Sequence, residues 1–302
     1  MNYTIHQLRI FIKVCDYQSI TKASEALYLT QPAVSIQLKK LQNEFEIPLT
    51  EVIGRQLHVT EFGQKIRQLA QNILEKVDQI EVATDHYKGV LTGNIRIASA
   101  STGKYVIPYF LASFMRQHPG VNISIDVTNK MKVVESLQEN SVDFALVSVI
   151  PQNLNLTCVP LIANELYLVG AQDYPGLPKR MMAKNLGNYP LIFREKGSAT
   201  LSAMKTFLNK NQVQVKRSMT LVSNEAVKQA VRAGLGLSIM PLIGIRSEIK
   251  LEKMKLIPIK GLPVTTQWNL TYSSGKQLSP ACQALVDYIQ EHKDEISKAH
   301  FI

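Results

Sequence analysis

Between Asn2 and about Tyr87 the apolar residues recur at helical spacing, with few strand-like runs. Ile5, Leu8, Phe11 and Ile12 fall on one face of a helix over Ile5–Val14, and Ser19 is placed to cap a second helix running to about Leu27. Thr30 then precedes Gln31 and Pro32. A proline at the start of a helix has no amide hydrogen to waste, so a third helix is expected from Thr30 to about Phe45, with Val34, Leu38, Leu41 and Phe45 as its buried stripe. From Thr60, a plausible cap, to about Tyr87 the chain is free of proline and has glycine only at Gly63, which predicts one long helix. Ile66, Ile73, Ile80 and Tyr87 recur every seventh position beside Leu69, Ala70, Val77 and Thr84, the pattern of a coiled-coil seam about three heptads long.

The period changes after Gly89–Gly93. Short runs rich in β-branched residues (Ile95–Ala98, Asn122–Val127, Phe144–Val149, Leu166–Val169, Pro190–Phe193 and Leu237–Met240) alternate with amphipathic segments such as Tyr109–Gln117 and Glu225–Ala233. This alternation predicts a doubly wound α/β fold. The expected division is an N-terminal helical domain over residues 1–60, a linker and dimerisation helix over 61–90, and an α/β domain over 91–302.

At 302 residues the chain is long enough for two domains. No stretch approaches the roughly 18 apolar residues of a membrane span, and His6, Gln7 and Arg9 interrupt the apolar run a secretory signal needs, so a cytoplasmic location and no membrane partner are expected. Cys15, Cys158 and Cys282 lie far apart and read as ordinary buried thiols, and the six histidines include no metal-binding pair on one helix; neither metal nor cofactor is expected. The net charge of +10 is unevenly placed. Residues 1–90 hold 10 Lys+Arg against 10 Asp+Glu, whereas residues 163–267 hold 16 against 6. Basic composition therefore does not by itself mark a nucleic-acid-binding end.

The chemistry worth following sits in three places. On the third helix Gln31, Ser35, Gln37, Lys39 and Lys40 lie off the buried stripe, a set of amide, hydroxyl and ammonium groups suited to base edges and phosphates in a major groove, though also to a solvated face. The heptad stripe suits a partner helix of a second copy, or packing on its own domain. In the α/β part, Ser99-Ala100-Ser101-Thr102-Gly103 joins a strand to a helical run beginning at Lys104, which gathers hydroxyls and amides at a helix start, where the dipole favours an anion; plain capping explains the same residues. Arg194 ends the run Pro190–Phe193 just before Gly197-Ser198-Ala199-Thr200, a position from which its guanidinium suits a bidentate pair with a carboxylate or phosphate. No G-x-S-x-G elbow, P-loop or G-x-G-x-x-G after a strand is present, which argues against an enzyme.

The string Leu8, Phe11, Val14, Ser19, Ala23, Leu27, Thr30-Gln31-Pro32-Ala33-Val34-Ser35, Gln37, Leu38, Leu41, Thr60 and Gly63 resembles the signature of the LysR-type transcriptional regulators. The resemblance implies an N-terminal winged helix-turn-helix, a long linker helix, and a C-terminal two-lobed domain of periplasmic-binding-protein type. In this chain those lobes fall at 91–162 with 268–302, and at 163–267. It implies double-stranded DNA contacted by Thr30, Gln31, Pro32, Ser35, Gln37, Lys39 and Arg55, the last on the wing that ends at Thr60. It implies pairing through Ile66, Leu69, Ile73, Val77 and Ile80, with two dimers per tetramer, and RNA polymerase as a partner. A small-molecule effector is implied between the lobes, against Ser99, Ser101, Thr102, Thr128, Asn129, Ser148, Arg194, Ser198, Thr200 and Asn224.

The chain departs from the family pattern at Ile36, where arginine is usual, and at Leu49-Thr50-Glu51-Val52 in place of Leu-Phe-x-Arg. Removing one phosphate-binding cation lowers the salt slope of DNA binding by about one unit. The run Lys104-Tyr105, Pro108, Leu111, Phe114, His118-Pro119-Gly120-Val121 and Asn129 is similar to the branch controlling carbon-fixation operons, but the Arg-Pro-Pro expected there reads Ser148-Val149-Ile150-Pro151. Because residues 94–162 with 268–302 are balanced at 8 against 8 while residues 163–267 carry the whole positive excess, the effector is expected to be an anion. A DNA-bound protein answering to a protein partner is the alternative.

Overall fold

The computed structural model describes residues 2–54, 56–87, 91–178 and 180–301, excepting the side chains of Glu75, Asp78, Gln79 and residues 81–87. The chain divides into two compact units, Met1–Val90 and Leu91–Ile302.

In the first unit, α1 (Ile5–Tyr17) opens on a capping box: Thr4 Oγ1 accepts from the Gln7 amide at 3.2 Å, and Gln7 Oε1 accepts from the Thr4 amide at 2.8 Å. Ser19 caps α2 (Ile20–Ala26) and Thr30 caps α3 (Gln31–Gln42), whose second residue is Pro32. Leu8, Phe11, Val14, Ala23, Val34, Leu38 and Leu41 are buried together where the three helices meet. The third helix stops at Gln42, before the expected Phe45, and the Gln42 side chain accepts from the Leu49 amide at 2.8 Å. Phe45 still packs on this core, 6.0 Å from the Tyr3 ring and 5.9 Å from that of Phe62.

Where the resemblance places the wing, β1 (Thr50–Ile53) and β2 (Gln56–Val59) pair antiparallel around Gly54; Arg55 lies outside the described residues. Thr60 starts α4 (Glu61–Tyr87), its Oγ1 accepting from the Gly63 amide at 2.9 Å and donating to the Pro48 carbonyl at 2.6 Å. Gly63 is required by close approach, since a Cβ there would lie 2.0 Å from the Leu49 carbonyl oxygen. Arg67 of α4 reaches Asp16 of α1 at 2.7 Å.

The second unit is a mixed α/β structure. β3 (Thr92–Ala100) and α5 (Ile107–Gln117) lead to β4 (Gly120–Thr128), α6 (Lys130–Gln138) and β5 (Phe144–Val147), with β3 parallel to both β4 and β5. The helical run expected from Lys104 begins instead as a 3-10 turn at Gly103–Tyr105, since Pro108 has no amide hydrogen and fits only the first turn of α5. β6 (Leu156–Ala171) is much longer than the predicted Leu166–Val169. Then follow β7 (Leu191–Arg194), α7 (Ala199–Lys210), β8 (Ser218–Leu221), α8 (Asn224–Arg232), β9 (Ser238–Pro241), α9 (Arg246–Lys250), β10 (Met254–Leu256), β11 (Val264–Ser273) and α10 (Pro280–His300).

Seven strands form one sheet in the order β10-β6-β11-β5-β3-β4, with β9 also on β6. β7 and β8 form a parallel pair, and Leu191 bridges to Leu237 beside it. The long antiparallel pair β6 and β11 passes through two separate cores, with a register break between Gln267 and Asn269. On one side Phe110, Phe114, Leu146, Leu161, Trp268 and Leu285 are buried together; on the other, Leu166, Leu168, Leu186, Met204, Leu237 and Ile239. Among the described residues no helix is long and apolar enough to cross a membrane.

Candidate functional site

In the first unit Gln31, Pro32, Ser35 and Lys39 are exposed on α3, and Thr30 caps its first turn through the Ala33 amide. Ile36 is 55 % exposed among them, so the position that lacks arginine presents an apolar side chain on the same helix. Gln37 differs from its expected neighbours: it is half-buried, and its Oε1 accepts from Gln7 Nε2 at 3.1 Å. Through Gln7 it ties α3 to the capped start of α1, a holding role a helical wheel does not reveal. Exposed Val52 and Ile53 carry the wing toward Gly54.

The heptad residues of α4 divide. Ile66 packs against the helix-turn-helix core beside buried Ala70, so it serves its own unit. Leu69, Ile73 and Ile80 are 58 %, 40 % and 68 % exposed, and Val77 is half-buried. An apolar stripe left in water on a 27-residue helix suits a second helix laid against it. The side chains of Thr84 and Tyr87 lie outside the described residues.

In the second unit the carboxyl ends of β3, β4, β5 and β7 converge on one cavity, the position where ligands bind in sheets of this kind. About 20 Å³ of it is open to the centre of a water molecule. Ser101, Thr102, Asn129 and Ser148 line it from the side of the first core, and Arg194, Ser198 and Thr200 from the other. Asn224 joins through Ser101, whose Oγ accepts from Asn224 Nδ2 at 2.8 Å and from Arg194 Nη1 at 3.1 Å. Ser99 does not line the cavity: it is fully buried, donates to the Ala100 carbonyl, and fills the space a Cβ on Gly103 would need. Thr128, at the end of β4, is also absent from the wall.

Arg194 is 3 % exposed. Its Nε and Nη2 donate to Glu195 at 2.8 and 2.9 Å, a bidentate pair, and its Nη1 donates to Ser101. A guanidinium has five N–H groups, so two remain for a ligand. Asn129 caps α6 by accepting from the Lys132 amide, and Ser198 caps α7 by accepting from the Leu201 amide. Two helix starts therefore face the cavity with the positive ends of their dipoles. Lys130, on the same wall, has its pKa lowered by burial. Sequence reasoning missed both Glu195 and Lys130: the first adjoins Arg194 in the chain, while nothing in the sequence brings the second to it.

Away from the cavity, the Tyr105 hydroxyl donates to Glu225 at 3.4 Å, and Lys228 bridges Glu225 and Glu248, each at 2.9 Å. Burial raises the Glu225 carboxyl, but hydrogen bonds from Gln229, Lys228 and Tyr105 together with the Lys228 charge outweigh it and hold the group low. The cysteines are not alike. Cys15 and Cys282 are buried, and burial pushes their thiols up to about 12 and about 11, whereas Cys158 is only half-buried.

A winged helix-turn-helix with a long apolar-striped helix, together with an α/β unit enclosing a cationic cavity, defines the ligand-responsive class of bacterial transcription regulators. Residues 5–64 match the model of the bacterial regulatory helix-turn-helix protein, lysR family, and residues 88–294 match that of the LysR substrate binding domain. The chain belongs to the LysR family of transcriptional regulators. It is 36 % identical over 299 residues to the HTH-type transcriptional activator CmpR of Synechocystis sp., covering 99 % of this chain and 98 % of that one. It is likewise 36 % identical over 290 residues to the RuBisCO operon transcriptional regulator of Allochromatium vinosum, covering 96 % of each. Among solved structures, the regulatory domain of Synechocystis PCC6803 CcmR in complex with 2-PG aligns with a TM-score of 0.63 at 32 % identity, covering 67 % of this chain and 98 % of that domain.

Proposed function

We propose that this chain is an effector-controlled regulator of carbon-assimilation genes, whose effector is a small anion held at the cavity between the two lobes of the second unit. The observation that carries the reading is Arg194: a nearly fully buried guanidinium, fixed on one edge by Glu195, with two N–H groups left at a cavity rimmed by hydroxyls and two helix starts. Glu195 balances the guanidinium charge, and the two N–H groups it leaves, together with the helix starts, suit an oxyanion acceptor. The relation to a regulatory domain that binds 2-PG supports the same class of ligand.

DNA contact is assigned to Thr30, Gln31, Pro32, Ser35 and Lys39 on α3, with the wing residue Arg55. Two copies pair through Leu69, Ile73, Val77 and Ile80, which sets two recognition helices on neighbouring turns about 34 Å apart. Tetramer formation, contact with RNA polymerase and a cytoplasmic location complete the reading through kinship with the family. A ligand that binds only the folded state raises its stability, so melting temperature tests the effector class. Phosphorylated and dicarboxylate metabolites are expected to raise it; a rise with neutral or cationic compounds alone would refute the reading.

A further inference from the structure

The outward face of α3 carries an apolar strip. Ile36 stands two positions after buried Val34 and two before buried Leu38, so it lies about 200° round the helix from each and points away from the core. It is 55 % exposed. One turn toward the start of the helix, exposed Pro32 and half-buried Ala33 are its neighbours on that face, and neither side chain carries a donor or an acceptor. One turn further on, Lys39 and Lys40 are both exposed. The face is therefore apolar over the first turns of α3 and cationic over the last. A lone exposed isoleucine is ordinary on a protein surface, but this one is continuous with Pro32 and Ala33.

We infer that Ile36 is a specificity-determining residue that reads a thymine through its C5-methyl group, with Pro32 and Ala33 completing the apolar surface that receives it. This goes further than the assignment of α3 to DNA given above and rests on it. A recognition helix enters the major groove with its N-terminal residues at base edges, while cationic side chains hold phosphates. Lys39 and Lys40 meet the second need. Ile36 brings an apolar group to the first. Set against N7 and O6 of guanine, N6 and N7 of adenine or N4 of cytosine, an isoleucine takes water from polar atoms and returns no hydrogen bond, which is costly. The thymine methyl is the one apolar group among these base edges, and burying it against isoleucine is favourable.

The probe is a duplex selected from a randomised pool by the full-length protein, with each thymine replaced in turn by deoxyuridine, which pairs identically and lacks only the methyl group. Fluorescence anisotropy at fixed salt is expected to show at least one thymine whose replacement weakens wild-type binding by about fourfold, the effect of one methyl group withdrawn from an apolar contact. In Ile36→Ala and Ile36→Gln, both at an exposed helix position and both expected to melt as the wild type does, the same replacement should change nothing. A methyl effect at no thymine, or one that persists undiminished in both variants, overturns the assignment of Ile36. Failure of the α3 reading looks different: no duplex is enriched from the pool, or Gln31→Ala and Ser35→Ala bind the selected duplex as tightly as the wild type, and the assignment falls with it.

Discussion

Arg194 Nη1 donates to Ser101 Oγ across 3.1 Å, joining residues 93 positions apart at the cavity wall. Ser101 also accepts from Asn224 Nδ2, so one hydroxyl satisfies two buried donors drawn from the other lobe. Ser101→Ala removes that acceptor while leaving both donors in place. It should cost about 1–3 kcal/mol of stability, read as a lower urea midpoint with an unchanged slope. A midpoint equal to that of the wild type would show that the donors find other partners and that Ser101 does not hold the lobes.

On α4 two isoleucines one heptad apart are expected to fail in different ways. Ile73→Lys charges an exposed seam and should convert the dimer to monomer in sedimentation, leaving the monomer folded. Ile66→Lys instead drives an ammonium into the core of the helix-turn-helix, and should lower the melting temperature at every protein concentration. An unchanged oligomer for Ile73→Lys sinks the seam.

Gln31→Ala and Ser35→Ala should each weaken specific DNA binding by about 1–3 kcal/mol, while Lys39→Ala weakens all sequences alike and reduces the salt slope by about one. Gln37→Ala belongs to a different class, since its carbonyl serves Gln7. Its effect should fall on stability first, by about 1 kcal/mol. Fluorescence anisotropy at fixed salt, paired with thermal melts, separates the two; equal operator affinity for Gln31→Ala, Ser35→Ala and wild type would remove α3 from the DNA interface.

What is legible in the sequence is what is local. Ser19, Thr30 and Thr60 announce helix starts through their own hydroxyls, and each caps a helix in the structure. The Thr30-Gln31-Pro32 string and the heptads of α4 are likewise short-range patterns. The strands that show themselves are those with apolar runs. β6 is legible only over its apolar end because Pro160, Asn164 and Glu165 interrupt the pattern, and in β11, Val264–Ser273, Gln267 and Asn269 interrupt it. Their pairing with one another, over a separation of about a hundred residues, is what stabilises such polar stretches as strands. The cavity follows the same rule. Arg194 is visible as a cation ending an apolar run, but Lys130 gains its meaning only when β4 and β7 end at one place. Ser99 misleads because a hydroxyl at a strand end looks alike whether it faces a ligand or supports the turn at Gly103.

In the proposed reading, effector control through the cavity depends first on Arg194. Arg194→Gln removes the charge and with it the bidentate partner of Glu195, so its thermal melt is measured beside its ligand affinity. Titration calorimetry of wild type and Arg194→Gln with the small anion that most raises the wild-type melting temperature should show a loss of about 2 kcal/mol or more in effector affinity. DNA affinity without effector should stay within about 0.5 kcal/mol of wild type. Arg194→Gln binding that anion as tightly as the wild type would contradict an effector site built on this guanidinium.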